Sequence, residues 1–438
     1  MNKKIAEKKV LCNRDVREEF TGKNLTRFGG TGLIRRYFKR IGISGYLERV
    51  EVEKDRGYSS GQMFLSILYG ILLGLSRPYH MMELAEDKVF QKVANLDGFP
   101  TQSTISRFFQ GMRMAISGQI YHINYSLLMK RRREFKGFSN GITADLDSHV
   151  TPVYGHQQRA KRGYNPKKKG RKSYHPILCF IGETRDYLAG KLRSGDHHTS
   201  YNAKDFLCSI IEALPVAIKR LRADSGFFSI KFIKGLKKRG IEFFIAVPLQ
   251  QWVQEIILYQ GSWESIGRGL WAKEGSVPLG KSDSCRLVII RKKVGKGENP
   301  KKQLSLIKGD DAIYDYQVIA TNSSKSCLEV WRFYNKRANC ENFIKEAIYS
   351  FGLDNVVSHD WAGNNCWFQL VMLGYNIMNW FKEEVVSQEK KKTFAEGIRR
   401  RFFLIPGKLI YSARQYTLKL ERSWCYRKEY ELALARLE

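Results

Sequence analysis

Between Gly141 and Val247 the chain changes texture in a fixed order, and that order restricts the fold more than any other feature of the sequence. Three short apolar runs, Ile142 to Asp147, Pro176 to Ile181 and Tyr187 to Leu192, are separated by polar turns such as Gly182-Glu183-Thr184-Arg185 and read as successive strands of an antiparallel meander. A helix is expected around Ala203 to Leu214, a strand near Ala217 to Ala223, a helix near Ser229 to Lys238 and a strand at Ile241 to Val247.

Three strands followed by alternating helix and strand is the order of a ribonuclease-H-like α/β fold. Residues 1–139 read as a helical N-terminal, DNA-binding region. Phe64, Ile67, Leu68, Ile71, Leu72 and Leu75 fall on one helical face behind the capping candidates Ser59 and Ser60. A second helix opens at Pro100-Thr101-Gln102-Ser103 and carries Arg107, as a DNA-reading helix or an ordinary capped surface helix would. Residues 140–249 form the first part of the core, 250–325 a β-rich insertion, 326–385 the second part of the core, and 386–438 a basic helical tail behind Lys390-Lys391-Lys392. At 438 residues the chain is too long for one ordinary core, so two or three domains are expected.

The charge narrows the function. Lys and Arg number 75 against 43 Asp and Glu, a formal net charge of +32, which in a folded chain is self-repelling or matched to a polyanion, nucleic acid first. The eight cysteines show no Cys-x-x-Cys spacing and read as reduced core thiols. The longest apolar stretch, Met63 to Leu75, is too short and amphipathic to span a bilayer, so a cytoplasmic, nucleoid-associated protein without membrane partners is expected. Gly29-Gly30-Thr31-Gly32 lacks the Lys-Ser or Lys-Thr of a nucleotide-binding loop, which argues against ATP. His149, His156, His175, His197 and His198 lack zinc-ligand spacing and suit hydrogen bonding or phosphate contact.

Period-two geometry puts Thr143, Asp145 and Asp147 on one face of the first strand. Asp224 stands where a later strand meets a loop, in Arg222-Ala223-Asp224-Ser225-Gly226-Phe227. On a helix, Tyr334, Arg337, Glu341 and Lys345 fall within an arc of roughly 80°. Each feature alone has an ordinary explanation: strand-end turn chemistry for the aspartates, and an exposed i,i+4 ion-pair ladder for the helix. Two strand-borne aspartates and one helix-borne glutamate on a fold of this order, in so basic a chain, together outweigh those explanations.

These residues carry a resemblance. Leu146-Asp147-Ser148, Arg222-Ala223-Asp224-Ser225-Gly226-Phe227 and Tyr334-x2-Arg337-x3-Glu341 resemble the insertion-sequence DDE transposases with a Tyr-Arg-Glu-Lys signature, in particular the group numbered thirteen-eighty. The ordered set extends to Gly163-Tyr164-Asn165-Pro166, Tyr174-His175-Pro176, Leu192-Arg193-Ser194-Gly195 and Gly374-Tyr375-Asn376. The resemblance implies Asp147, Asp224 and Glu341 as catalytic ligands of two Mg²⁺ ions, with Mn²⁺ substituting and Asp145 a rival to Asp147. It implies phosphate contacts for Tyr334 and Arg337, cleavage at element ends, and attack of the freed 3′-hydroxyl on target DNA. By analogy with relatives that carry a β insertion, a hairpin intermediate is compatible with it. The signature's lysine falls at position 348, where this chain has Ile348; Lys345 lies one turn earlier.

Arg159, Lys161, Arg162, Lys167, Lys168, Lys169, Arg171 and Lys172 form an acid-free run just after the first aspartate strand and are expected to hold DNA phosphates, against the alternative of a solvated loop. Trp252, Trp263 and Trp271 suit either base stacking or ordinary packing. Double-stranded DNA, both element ends and target, is the expected partner, and pairing two ends requires a homodimer at least. Two other functions fit the same sequence: a decayed transposase that only binds DNA, for which Ile348 speaks, and a metal-dependent nuclease that cuts without joining.

Overall fold

The computed structural model describes residues 18–53, 57–134, 141–163, 165, 168–214, 216–267, 269–293, 314–387 and 393–438. A short strand β1 (Leu25–Thr26) precedes the helices α1 (Thr31–Ile41), α2 (Ile43–Leu47), α3 (Ser60–Leu73), α4 (Met82–Glu86), α5 (Lys88–Ala94), α6 (Gln102–Gln110) and α7 (Met114–Glu134). The helix α3 begins as the sequence predicts: the Ser59 hydroxyl accepts from the Gln62 N–H, and the Gln62 side chain returns to the Ser59 N–H. Gly74, at φ 90°, closes it in the left-handed conformation that glycine adopts without steric cost.

The centre of the molecule is a nine-stranded mixed sheet. Its strands are β2 (Ile142–Ser148), β6 (Ile177–Ile181), β7 (Tyr187–Lys191), β8 (Ile218–Ala223), β9 (Glu242–Ala246), β10 (Glu264–Gly267), β11 (Leu270–Pro278), β12 (Ser284–Lys293) and β13 (Tyr314–Thr321). The order is β10-β11-β12-β13-β9-β8-β2-β6-β7. The strand β2 pairs antiparallel with β6 and parallel with β8, and β8 pairs parallel with β9. A three-strand meander extended by two parallel strands is the ribonuclease-H-like order, with helices α8 (Ala203–Ala213) and α9 (Ile230–Lys238) as its crossovers. Three tiny strands, β3 (Thr151–Pro152), β4 (Lys161–Arg162) and β5 (Lys172–Tyr174), make a separate sheet in the order β3-β5-β4 beside the core.

The segment after residue 250 differs in form from a separate β insertion. It opens with a helix, α10 (Gln251–Tyr259), and its strands β10 to β13 extend the core sheet itself, because Ile319, Ala320 and Thr321 pair with Ala246, Ile245 and Phe244. The strand β13 leads straight into α11 (Cys327–Asn335) and α12 (Ala338–Phe351). Then comes α13 (Trp361–Glu384), apolar on nearly every side and buried almost throughout. Asn376, in the Gly374-Tyr375-Asn376 motif, docks it on the sheet by accepting from the Tyr187 N–H and donating to the Tyr187 carbonyl, both at 2.8 Å.

The tail is corrected from helical to mixed. After α14 (Ala395–Ile398) come two strands, β14 (Gly407–Ser412) and β15 (Gln415–Leu420), and only then the helix α15 (Arg427–Ala435). Ala413 and Arg414, at φ 49° and 62°, turn the chain in two residues, and β14 also pairs with β1. Apolar side chains of the N-terminal helices, the sheet, α13 and the tail join one contiguous cluster from Phe28 to Leu437. No described helix is long and apolar enough to cross a membrane. The described cysteines carry free thiols; Cys12 lies outside the described residues.

Candidate active site

The site grows from the parallel pair at the middle of the sheet. Leu146 of β2 pairs with Ala223 of β8, so Asp147, still in β2 and paired with Leu178 of β6, stands beside Asp224, the first residue past the end of β8. Asp145 sits deeper. It is fully buried opposite Arg222, whose Nε and Nη2 donate to its two oxygens at 2.6 and 2.7 Å, while Nη1 donates to the Phe333 carbonyl at 3.1 Å. Both oxygens of Asp145 are thus held in a bidentate ion pair inside the sheet.

Asp147 is 8% exposed, and its Oδ1 accepts from the Ser148 N–H at 2.8 Å. Asp224 caps the short turn Ser225–Phe227 and accepts from both the N–H and the hydroxyl of Ser225. Glu341 lies in the first turn of α12 with its side chain about half exposed. Arg337 gathers the group: Nη1 donates to Asp147 Oδ2 at 3.2 Å, Nη2 to Glu341 Oε1 at 2.6 Å, and Nε to the Tyr334 hydroxyl at 3.2 Å. The four signature positions do not share one continuous helix. Bonds from Arg337 N to Tyr334 O and from Cys340 N to Arg337 O tighten the chain between α11 and α12, and Arg337 stands at the joint.

Burial pushes the Asp147 carboxyl up to about 7; Arg337 and the Ser148 N–H pull against this, and the charges of Asp224 and Glu341 add to it. Burial also opposes the charge on Arg337, but Tyr334, Asp147, Glu341 and Asp224 outweigh it and keep the guanidinium charged. Arg337 thus lies between Asp147 and Glu341, and Asp224 acts on Asp147 through its charge without touching Arg337 by any hydrogen bond.

The donor set is right for a hard divalent cation: carboxylate oxygens on two strand ends and a helix first turn. As the side chains lie, no three His, Cys, Asp or Glu among the described residues stand together closely enough to hold an ion. Arg337 bridges Asp147 and Glu341 instead, and the half-exposed Glu341 has room to turn.

The other expected residues are dispersed. Tyr334 is 4% exposed, with its hydroxyl on Arg337, and Lys345 is exposed on α12. Ile348 packs half-buried against the core, a poor place for a lysine. Lys161 and Arg162 lie on β4, and Lys161 pairs with Asp196 at 3.1 Å. Lys168 and Arg171 sit over the Tyr154 ring at 4.9 and 4.5 Å, and Arg159 over Trp361 at 5.3 Å. Lys169 is exposed, Lys172 half-buried on β5, and Lys167 lies outside the described residues. Arg107 is exposed on α6, whose Phe108 and Phe109 are buried. Trp263 and Trp271 flank Arg291 at 4.3 and 5.5 Å, and Trp252 stacks on Phe228.

Sequence reasoning missed the scaffold beside Asp147. His175 Nδ1 bonds the His197 carbonyl at 2.8 Å and its Nε2 meets the Ser148 hydroxyl at 3.0 Å. Arg193 holds the carbonyls of His175, Thr199 and Tyr201. A Cβ on Gly163 would stand 1.8 Å from the Gly195 carbonyl, so those two motif glycines mark where the backbone carrying the basic run crosses the Arg193 turn. A groove of about 540 Å³ beside Asp224, lined by Pro248, Leu270, Lys292, Tyr316 and Trp331, left no sequence signal.

The strand order of the central sheet defines a ribonuclease-H-like α/β protein. The chain belongs to the family Transposase DDE domain group 1, whose profile matches residues 8–265 and 290–438. Among solved structures, a piggyBac transposase in a synaptic complex with hairpin DNA is similar at 10% identity over 88% of this chain and 78% of that one, with a TM-score of 0.47. No curated protein matches the sequence.

Proposed function

We propose that this DNA transposase moves a bacterial insertion sequence of the Tyr-Arg-Glu type by cutting at the element ends and joining the freed 3′-hydroxyls to target DNA. The observation that carries the proposal is that Arg337 joins Asp147 of β2 to Glu341 of α12, beside the end of β8 where Asp224 stands. In this reading the three carboxylates hold two divalent cations, Mg²⁺ or Mn²⁺, and Asp145 is left to its ion pair. When bound, the cations supply Lewis acidity at the scissile phosphodiester. In this reading Arg337, oriented by the Tyr334 hydroxyl, pairs with Asp147 and Glu341 until DNA arrives, and then turns toward a phosphate. The basic run 159–172 and the N-terminal helices grip the duplex, and the working assembly pairs two ends with at least two protomers.

The test is cleavage and strand transfer on duplexes carrying the element's flanking ends, with Mg²⁺, Mn²⁺ or chelator. Asp224→Ala and Glu341→Ala should each bind DNA yet cut at least about a hundredfold more slowly, since several kcal/mol of charge stabilisation go with the cations. Wild-type binding without cutting would leave only a DNA-binding protein, for which the core-packed Ile348 speaks. Cutting without joining would leave a nuclease.

A further inference from the structure

The hairpin formed by β14 and β15 carries one face toward the body and one toward solvent. Leu409, Tyr416, Leu418 and Leu420 face inward over a cavity of about 390 Å³ against α1 and α15, where Lys92 Nζ lies 4.3 Å from the Tyr416 ring centre. The opposite face presents the cross-strand pairs Lys408 with Lys419, Ile410 with Thr417 and Ser412 with Gln415.

Three features of this ribbon cost stability in the free protein. Lys408 and Lys419 stand directly across from one another, and like charges so placed repel. No Asp or Glu occurs from Gly407 to Leu420, and no ion pair engages Lys408, Arg414 or Lys419 among the described residues. The two-residue turn needs positive φ at both positions, which Asn-Gly supplies without strain, yet Ala413 and Arg414 occupy it at φ 49° and 62°. Tyr411 and Tyr416, 61% and 51% exposed at the rim of the body-side face, have ring centres 4.6 Å apart at an interplanar angle of 45° just behind the tip. Lysines also guard exposed strand edges against aggregation, but that role gives no reason for a strained turn with an arginine at its apex.

We propose that the ribbon Gly407–Leu420 is a DNA-gripping element separate from the catalytic edge: it lies in the major groove of duplex DNA, with Arg414 leading and Lys408 and Lys419 on the flanking phosphates. The major groove, roughly 12 Å wide, admits a two-stranded ribbon; β1 covers the base at Gly407 and Lys408, and the two-stranded part beyond it, roughly 13 Å long, spans that width. Contact is through the backbone and therefore independent of sequence. The inference rests on the reading of the chain as DNA-acting.

The experiment is fluorescence-anisotropy titration of the full chain with a labelled random-sequence duplex of about 30 base pairs, at several salt concentrations between roughly 50 and 200 mM. Lys408→Gln combined with Lys419→Gln should weaken binding about tenfold and flatten the log–log salt slope by about 1.8, close to 0.9 per lost charge. Ala413→Asn combined with Arg414→Gly installs the preferred turn, so thermal stability should hold or rise while DNA affinity falls. Unchanged affinity in both variants would overturn the ribbon proposal alone. Equal binding of duplex RNA, whose major groove is too narrow to enter, would overturn the groove assignment. Failure of the wild type to bind duplex DNA would overturn the ribbon together with the transposase reading.

Discussion

Asp145 and Asp147 stand two residues apart on one strand, and their surroundings give them opposite physical roles. Asp145 neutralises a buried arginine; Asp147 faces like charges at the sheet edge. Asp145→Ala strands the Arg222 charge and should cost about 3–5 kcal/mol in urea unfolding. Asp147→Asn removes a carboxylate that burial disfavours and should hold or raise stability at pH 7. A stable Asp145→Ala variant would sink this division. The alternation of the sequence showed the shared face, but the partner that separates the two, Arg222, lies 77 residues away on another strand. Ile348 shows the same limit, since helical spacing gives its angle and not what packs there.

Helices and local strands were legible because their signals are local: apolar periodicity, Ser59 with Gln62, the turn after Ile181. The extension of the core sheet by β10 to β13 was not, because the β13–β9 pairing is set by tertiary contact and leaves no pattern in either strand. The tail hairpin was missed for a different reason: Ala413-Arg414 carries none of the Asn-Gly chemistry by which such turns are read. Between helices the structure also hides a polar joint. Glu346 of α12, 2% exposed, accepts from Lys382 of α13 at 3.1 Å, Arg185 at 3.2 Å and the Ala395 N–H at 2.9 Å. Glu346→Ala leaves Lys382 buried without its partner and should cost about 3–5 kcal/mol. Equilibrium denaturation checks it, and a loss under about 1 kcal/mol would show that the joint relaxes.

At the scale of the whole molecule, acid stability follows from carboxylates tied across elements. Burial works to raise Glu383, but hydrogen bonds and charge from Arg131 and Arg132 outweigh it and hold the group below its ordinary 4.5. Glu242 is likewise held down by Ser323 and Lys325 against its burial. A depressed folded-state value means these contributions are complete above about 4.5 and lost as pH falls through the lower value. Asp147, raised from 3.8 to about 7, acts in the opposite sense and costs stability as pH rises between those values. Melting curves from pH 7 to 3 should therefore show a loss below about 4.5 that is shallower in Glu383→Gln; an identical loss in that variant would refute the assignment.

Thr26 pairs with Gly407 and Leu25 with Lys408, the Gly29 and Gly30 N–H groups donate to the Ile405 and Phe403 carbonyls, and Arg40 donates to the Arg436 carbonyl. The start of the fold is therefore closed by segments that the ribosome makes only after nearly everything between them. A chain without the tail would leave the β1 edge and the Gly29 and Gly30 N–H groups without these partners. The first described strand and the last hairpin therefore form one closure, complete only when both ends of the fold are present.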